Sequence, residues 1–155
     1  MVEVVKMTDS HVSGVALLEK ECFGECAWSA NSLKESLQTD GANFFVALCD
    51  GEIAGYVGMN TVLDEGYITN VAVSGKFRRK GIADGLISKL DECMVEKDLS
   101  FISLEVRVSN TPAISLYEKN GYKNVGKRKE FYRLPTEDAY IMTKPKCLSL
   151  NQVQL

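Results

Sequence analysis

The chain has 155 residues, of which 45% are hydrophobic and 25% are charged, and its formal net charge at pH 7 is -3. These values are typical of one soluble domain that buries enough surface to fold without a disulfide or a metal. The acidic balance argues against direct nucleic-acid binding, and no apolar run approaches the ~20 residues of a membrane span. Residues 1–6 lack the cationic and long apolar regions of a signal peptide, so we expect a cytoplasmic protein.

The five cysteines and the single histidine argue against metal binding and nucleophile chemistry. An odd number of scattered cysteines is typical of free thiols, and Cys22 and Cys26 form a lone C-x-x-x-C without a second pair. A structural zinc site is therefore not expected. His11 is predicted to lie solvated in the first turn of a helix, so we assign it no role and no part in a catalytic triad.

The first half of the chain predicts strands and helices separated by turns. The elements are a strand at residues 2–7, a helix at 11–22, a short helix from Ser29 or Asn31 to Leu37, and strands at 43–49, 53–63 and 67–73. Polar N-cap candidates precede both helices, and Asp50-Gly51 is a strong hairpin signal between two apolar runs. Trp28 lies in the loop between the helices, where an indole is more often a core anchor than a ligand contact.

A strand, a basic loop and a helix follow one another across residues 71–90. Arg78, Arg79 and Lys80 precede Gly81, after which apolar residues recur at helical spacing. A helix N-terminus offers about four unpaired N–H groups and a positive dipole end, both of which favour phosphate oxygens. The alternative is a glycine before a helix, beside a solvated charge cluster. Because the spacing matches neither the dinucleotide nor the Walker motif, it indicates a phosphate site without naming its ligand.

The second half predicts a strand, a helix and two closing strands. Residues 101–107 alternate cleanly between an apolar and a polar face, and the polar face carries Glu105. Asn110 and Pro112 are typical of a helix start. The closing strands are predicted at residues 122–133 and 139–143.

The order of these elements predicts one α/β (α+β) domain with a mixed sheet over residues 1–144. The chain has no internal repeat, low-complexity segment or linker that would divide this domain. Residues 145–155 show no hydrophobic period, and we describe them as a C-terminal tail of unknown role.

Residues 78–83 carry the first resemblance to a known family. The pattern Arg78-x-x-Gly81-x-Ala83 resembles the R/Q-x-x-G-x-G/A acetyl-CoA signature of GNAT-type N-acetyltransferases. Further segments are similar, in family order, to the RimI branch, which acetylates protein N-termini. These segments are YITNVAV at 67–73, LEVR at 104–107, SN at 109–110, AISLYE at 113–118, GY at 121–122 and EDAYIM at 137–142. The resemblance implies the GNAT fold, a mixed and mostly antiparallel sheet of about seven strands flanked by about four helices.

The resemblance also implies acetyl-CoA as cosubstrate, no metal, and a set of site residues. The implied cofactor-binding residues are Val71, Ala72, Val73, Arg78, Arg79, Lys80, Gly81, Ile82, Ala83, Asp84 and Asn110. Asp84 stands where a cation is common in RimI-like chains, so its side chain must point away or weaken binding. A backbone N–H at residues 71–73 would stabilise the oxyanion, typically by about 3–4 kcal/mol. Glu105 is the implied general base, acting directly or through water, and Tyr117 the implied general acid.

Each implied site residue has a structural alternative. Considered alone, Glu105 is typical of a solvated strand carboxylate and Tyr117 of a packed aromatic. Asn110 is a common helix N-cap, a role that is compatible with a cofactor contact. In the family the region of Trp28 lines the acceptor side, and residues 131–138 resemble the acceptor-proximal segment.

The resemblance implies an acetyl-CoA-dependent N-acetyltransferase that transfers acetyl directly in a ternary complex. The acceptor would be a protein N-terminal α-amine, with the N-terminal alanine of a small-subunit ribosomal protein as the leading candidate. A carboxylate base suits this amine, because deprotonating it at pH 7 costs about 1–1.4 kcal/mol, against about 4.6 kcal/mol for a lysine. The alternatives are a small-amine (polyamine or drug) or lysine acetyltransferase and, in another class, a non-catalytic acyl-CoA-sensing module. The oligomeric state stays open.

Overall fold

The computed structural model describes residues 1–146, which form one seven-stranded sheet and four α-helices. The strands are β1 Val2–Lys6, β2 Ala42–Cys49, β3 Glu52–Val62, β4 Glu65–Val73, β5 Phe101–Arg107, β6 Lys123–Tyr132 and β7 Glu137–Pro145. The helices are α1 Val12–Phe23, α2 Ala30–Leu37, α3 Ile82–Glu96 and α4 Thr111–Lys119, with 3-10 turns at Asp9–His11, Gly24–Cys26 and Gly75–Phe77. Across residues 1–146, no helix combines the length and the apolar character that crossing a bilayer requires.

The strands are arranged in the order β1-β2-β3-β4-β5-β7-β6. Neighbouring strands pair antiparallel except β4 and β5, which pair parallel. This arrangement confirms the predicted single domain with a mixed, mostly antiparallel sheet and flanking helices. The predicted domain boundary at residue 144 lies at the end of β7. From residue 147 onward, the predicted tail lies outside the described residues.

Polar contacts lie where the first helices begin. The Thr8 backbone N–H donates to His11 Nδ1 at 3.0 Å in the 3-10 turn that precedes α1, where His11 is half-buried rather than solvated. That His11 has no part in the chemistry stays a prediction. Ser29, rather than Asn31, caps α2, since its Oγ accepts from the Ser32 backbone N–H at 3.1 Å. Both contacts satisfy N–H groups that would otherwise lack a partner near a helix start.

Helices cover both faces of the sheet, so alternate residues of the central strands pack into two different clusters. The cluster under α3 includes Phe45, Val57, Leu86, Ile87 and Leu90. The cluster under α1 and α2 includes Val15, Leu33, Phe44, Val46 and Tyr56. Burial on both faces explains why β2 and β3 are nearly continuous apolar runs rather than alternating ones.

The two parallel strands β4 and β5 separate after a short paired segment. In the described chain they pair at three positions, Glu65–Phe101, Gly66–Ile102 and Tyr67–Ser103, and the pairing ends there. Thr69 is an extra residue in β4, because Gly58 of β3 pairs with Asn70 while Met59 pairs with Ile68. A bulge of this kind bends a strand and increases its twist. A gap therefore opens between the C-terminal halves of β4 and β5.

Candidate active site

A cleft of about 940 Å³ lies where β4 and β5 separate. Its other walls come from α1 and the connection to α2, from the loop before α3, and from α4 and the end of β6. The predicted site residues that line it are Val71, Ala72, Val73, Arg78, Arg79, Gly81, Ile82, Ala83, Asp84, Glu105, Asn110 and Tyr117. Lys80 does not line the cleft, and its Nζ lies 5.9 Å from the centroid of the Phe77 ring. The structure therefore brings all but one of the predicted residues together.

The N-terminus of α3 forms one end of this cleft. Gly81 is its N-cap, with φ of +76°, and Arg79 also has a positive φ of +62°. A Cβ at Gly81 would meet nothing within 4 Å, so glycine is needed there for its backbone conformation rather than for space. Residues of the first turn of α3 line the cleft, and the first N–H groups of a helix have no partner within the helix. This end of the cleft suits an anion such as a phosphate group.

Two charged side chains near the N-terminus of α3, those of Arg78 and Asp84, are hydrogen-bonded to other elements. The Arg78 Nε donates to the Val73 backbone oxygen at 3.2 Å. The Asp84 carboxylate accepts from Asn120 Nδ2 at 3.0 Å and from Lys119 Nζ at 2.9 Å. These hydrogen bonds hold the pKa of Asp84 below its ordinary value. The negative charge of Asp84 is therefore paired with the C-terminal end of α4, and its effect on anion binding stays a prediction.

The C-terminal half of β4 presents one backbone edge to the cleft. On its other edge Val71, Ala72 and Val73 pair with β3. In an antiparallel strand, backbone groups point alternately to the two edges, so the edge that faces the gap carries groups available to a ligand. This geometry suits the expected contact between residues 71–73 and a thioester.

Glu105 is not the solvated strand carboxylate that was its structural alternative, because its side chain is only 6% exposed. The Tyr67 hydroxyl donates to Glu105 Oε1, and the Arg128 Nε donates to Glu105 Oε2 at 3.0 Å. Tyr67 and Arg128 do not line the cleft, whereas Glu105 does. The carboxylate is thus held by two donors that do not line the cleft, while Glu105 itself is one of the residues that do.

Tyr117 and Asn110 place two polar groups of α4 on the same cleft. Tyr117 is buried, and its ring packs edge-on against Tyr122 with centroids 5.7 Å apart. Burial raises the pKa of the Tyr117 hydroxyl above its ordinary value, so this group stays protonated at neutral pH. The Asn110 side chain accepts from the Ala113 N–H at 3.3 Å, which makes it the N-cap of α4 as well as a lining residue.

Glu19 is a lining residue that the sequence did not identify. It projects from α1 and is only 1% exposed. Its Oε1 accepts from the Trp28 backbone N–H at 2.8 Å, and its Oε2 accepts from the Tyr56 hydroxyl at 2.5 Å. A signal was present, because Glu19 lies four residues after Val15 and therefore on the buried face of the helix.

Arg107 is the second residue that pattern alone did not identify. Its guanidinium donates to the backbone oxygens of Pro135 at 2.9 Å and Arg133 at 3.1 Å, and it lies 4.4 Å from the centroid of the Tyr132 ring. The Tyr132 hydroxyl in turn donates to the Glu105 backbone oxygen at 3.0 Å. Arg107 therefore holds the connection between β6 and β7 against the cleft.

The chain is similar to known acetyltransferases over most of its length. The family model described as "Acetyltransferase (GNAT) family" matches residues 14–122. A Bacillus subtilis (strain 168) protein, named as a candidate ribosomal protein bS18-alanine N-acetyltransferase, is 40% identical over 116 residues, which are 74% of this chain and 77% of that protein. An N-alpha-acetyltransferase of Sulfurisphaera tokodaii is 37% identical over 124 residues, 72% of this chain and 74% of the relative. The crystal structure of the ribosomal-protein-S18-alanine N-acetyltransferase from Escherichia coli has a TM-score of 0.87 and 26% identity, with 96% of each chain covered.

Proposed function

The chain belongs to the GNAT acetyltransferase family, and from this premise we propose that it transfers the acetyl group of acetyl-CoA to the N-terminal α-amine of a protein. The observation that carries the proposal is the cleft, in which a helix N-terminus, a buried carboxylate and a buried tyrosine line one cavity. The preferred acceptor is the N-terminal alanine of a small-subunit ribosomal protein. The names of the Bacillus subtilis and Escherichia coli relatives, which specify such an alanine, support this acceptor.

The donor occupies the end of the cleft beside α3. Its pyrophosphate accepts hydrogen bonds from the amides of the first turn of α3, with Arg79 supplying charge from the loop before that helix. The pantetheine arm and the thioester follow the free edge of β4. There a backbone N–H polarises the thioester carbonyl and stabilises the oxyanion that forms, an effect typically worth about 3–4 kcal/mol.

The acetyl group passes directly from sulfur to nitrogen in a complex that holds both substrates. Glu105 accepts a proton from the acceptor ammonium, directly or through one water, and the neutral amine attacks the thioester carbon. A C–N bond forms, the C–S bond breaks, and Tyr117 donates its proton to the departing thiolate. The second proton that the nitrogen loses as the amide forms restores the Tyr117 hydroxyl, and Glu105 releases its proton to solvent. Burial raises the pKa of the Tyr117 hydroxyl, so this group is protonated at neutral pH and can donate a hydrogen bond to the developing thiolate.

A protein α-amine suits this machinery better than a lysine does. An α-amine of pKa ≈ 7.7–8.0 is about one unit from neutrality at pH 7, whereas a lysine of pKa ≈ 10.4 is more than three units away. With an α-amine as acceptor, the Glu105 carboxylate, held by an arginine and a tyrosine, removes a proton from an ammonium group that is already close to its pKa at pH 7. A ribosomal protein acceptor also places the reaction in the cytoplasm.

An acceptor panel read by mass spectrometry tests the proposal. The parent protein is incubated with acetyl-CoA and peptides that begin with Ala, Ser or Met, with an N-blocked lysine peptide, and with spermidine. We expect acetyl on the α-amine of the Ala peptide. Turnover confined to lysine or spermidine would contradict the N-terminal assignment. Binding of acetyl-CoA without turnover on any acceptor would favour a sensing module instead.

A further inference from the structure

Glu19 is a buried carboxylate that the proposed transfer does not use. It is 1% exposed, and both hydrogen bonds to its oxygens come from neutral donors, an amide N–H and a phenol. Burying a charged group is unfavourable unless its hydrogen bonds compensate for the lost water. The two groups that Glu19 binds therefore indicate why a carboxylate is buried at this position.

The amide that Glu19 binds belongs to the connection between α1 and α2. This connection begins at Gly24, with φ of +55°, and its residues Glu25 and Cys26 are exposed. Cys26 and Trp28 line the cleft. Trp28 packs against the cluster under α1 and α2, but the exposed 3-10 turn that precedes it has little packing of its own to define its position. The bond from the Trp28 N–H to Glu19 ties it to the buried face of α1.

The second oxygen of Glu19 is fixed by the sheet. Tyr56 lies in the middle of β3 and is fully buried, and its hydroxyl donates to Glu19 Oε2 at 2.5 Å. Burial, together with the negative charge of Glu19, raises the pKa of Tyr56, so the phenol remains a donor. The Tyr56 hydroxyl, the Glu19 carboxylate and the Trp28 backbone N–H therefore form one chain of hydrogen bonds, which we call the brace. It connects β3 through α1 to the wall of the cleft.

We propose that Glu19 is a positioning residue that holds the α1–α2 connection as the acceptor-side wall of the cleft. The phosphate-binding amides belong to α3 and the thioester contact to β4, so the connection is left to face the acceptor. Because Glu19 is buried, it acts through the Trp28 amide and does not touch the acceptor peptide. This inference rests on the proposed function, since it assigns the acceptor side of that same site.

Two substitutions at Glu19 distinguish the effect of losing its hydrogen bonds from the effect of losing its negative charge. Glu19→Ala removes both hydrogen-bond acceptors. Glu19→Gln keeps the shape and both bonds, because its amide oxygen accepts from the Trp28 N–H while its NH2 group donates to the Tyr56 oxygen. Glu25→Ala is the matched control, since it removes an exposed carboxylate from the same connection.

The readouts are the KM of the Ala peptide, the KM of acetyl-CoA, and the fluorescence of Trp28, which is the only tryptophan of the chain. We expect Glu19→Ala to raise the peptide KM about tenfold, the change that loss of one buried hydrogen-bond partner produces, and the acetyl-CoA KM by less than about twofold. Its Trp28 emission should shift to longer wavelength. Glu19→Gln should restore all three values, and Glu25→Ala should match the parent.

Several results would overturn the inference. They are a parent-like peptide KM in Glu19→Ala, an equal rise in both KM values, or a defect in Glu19→Gln as large as in Glu19→Ala. If Glu19→Ala does not fold, Tyr56→Phe removes one anchor of the brace and should raise the peptide KM about threefold, and a parent value would overturn the inference. A parent protein that acetylates no peptide would instead contradict the proposed function. Unchanged Trp28 emission in Glu19→Ala would contradict the brace without contradicting the proposed function.

Discussion

At the scale of single residues, the two proposed catalytic groups are held in opposite ways. Tyr117 is enclosed by apolar packing, which favours its neutral form and raises its pKa. Glu105 is enclosed by donors, since the Tyr67 hydroxyl and the Arg128 guanidinium each bind one of its oxygens. The surroundings therefore keep a proton on Tyr117, whereas they fix the position of the Glu105 carboxylate through its hydrogen bonds.

Tyr117→Phe should slow transfer without abolishing it. A thiolate with the pKa of about 8.5 typical of a free thiol is a fair leaving group, so we expect kcat to fall by about a hundredfold or less. Because burial raises the Tyr117 pKa above its ordinary value of 10, the group stays protonated as the pH rises to that value. The parent should therefore keep its kcat up to about pH 10, as initial rates at saturating substrates would show. An alkaline decline between about pH 8 and 9.5 that Tyr117→Phe lacks would contradict the raised pKa, whereas a parent-like kcat in Tyr117→Phe would contradict the role of Tyr117 as general acid.

Arg128→Gln should lower kcat without changing acetyl-CoA binding. Glu105, whose side chain is 6% exposed in the parent, would lose its one cationic partner among residues 1–146, so its carboxylate would be misplaced relative to the amine. We expect kcat to fall about tenfold, with the acetyl-CoA KM within about twofold of the parent. Lys127→Gln is the control, because it removes a neighbouring cation of β6 whose Nζ lies over the Tyr140 ring. Equal kcat values in Arg128→Gln and Lys127→Gln would refute the positioning of Glu105 by Arg128.

At the scale of elements, the site depends on how α3 begins. Gly81 has a positive φ that starts the helix at Ile82, and Lys119 and Asn120 of the α4 end bind the Asp84 carboxylate in the first turn. The first turn of α3 lines the cleft, and these contacts offset the negative charge of Asp84 within that turn. The binding of an anion is thus a property of two helices packed together rather than of the R-x-x-G-x-A pattern alone.

Gly81→Ala and Gly51→Ala form a matched pair that tests this point. Both glycines have positive φ, +76° and +84°, and a Cβ at either position would meet nothing within 4 Å. Each change should therefore lower the free energy of unfolding by about 1 kcal/mol through backbone strain, measured by urea denaturation. Gly81→Ala alone should raise the acetyl-CoA KM, by about fivefold, because Gly51 lies in the β2–β3 turn, away from the cleft. The same KM for both variants would show that the start of α3 does not bind the donor.

At the scale of the whole molecule, the sequence correctly predicted the strands and turns that depend on a local residue pattern. The strand at residues 101–107 was placed correctly because its apolar and polar residues alternate without interruption. The Asp50-Gly51 turn was also predicted correctly, since both residues adopt the positive φ that such a hairpin requires. The fold class followed from the order of the elements together with the family resemblance.

The sequence did not reveal the features that depend on contacts between distant segments. The bulge at Thr69 arises from the register between β3 and β4, and the strand YITNVAV carries no local sign of it. The partners of Glu19 come from the following loop and from β3, and the Arg128 partner of Glu105 lies 23 positions later in the chain. Such pairings depend on how the sheet is assembled, so they become visible only once the fold is known.

The measurement that tests the account most directly is the pH dependence of kcat/KM for the Ala peptide in the parent and in Glu105→Gln. If Glu105 removes the proton of the α-amine, the variant can use only amine that is already neutral. That fraction rises about sevenfold between pH 7 and 9 for a pKa near 7.8. We therefore predict that the ratio of parent to variant rates falls by about fivefold or more across this range. A ratio that stays constant from pH 7 to 9 would contradict the assignment of Glu105 as the general base.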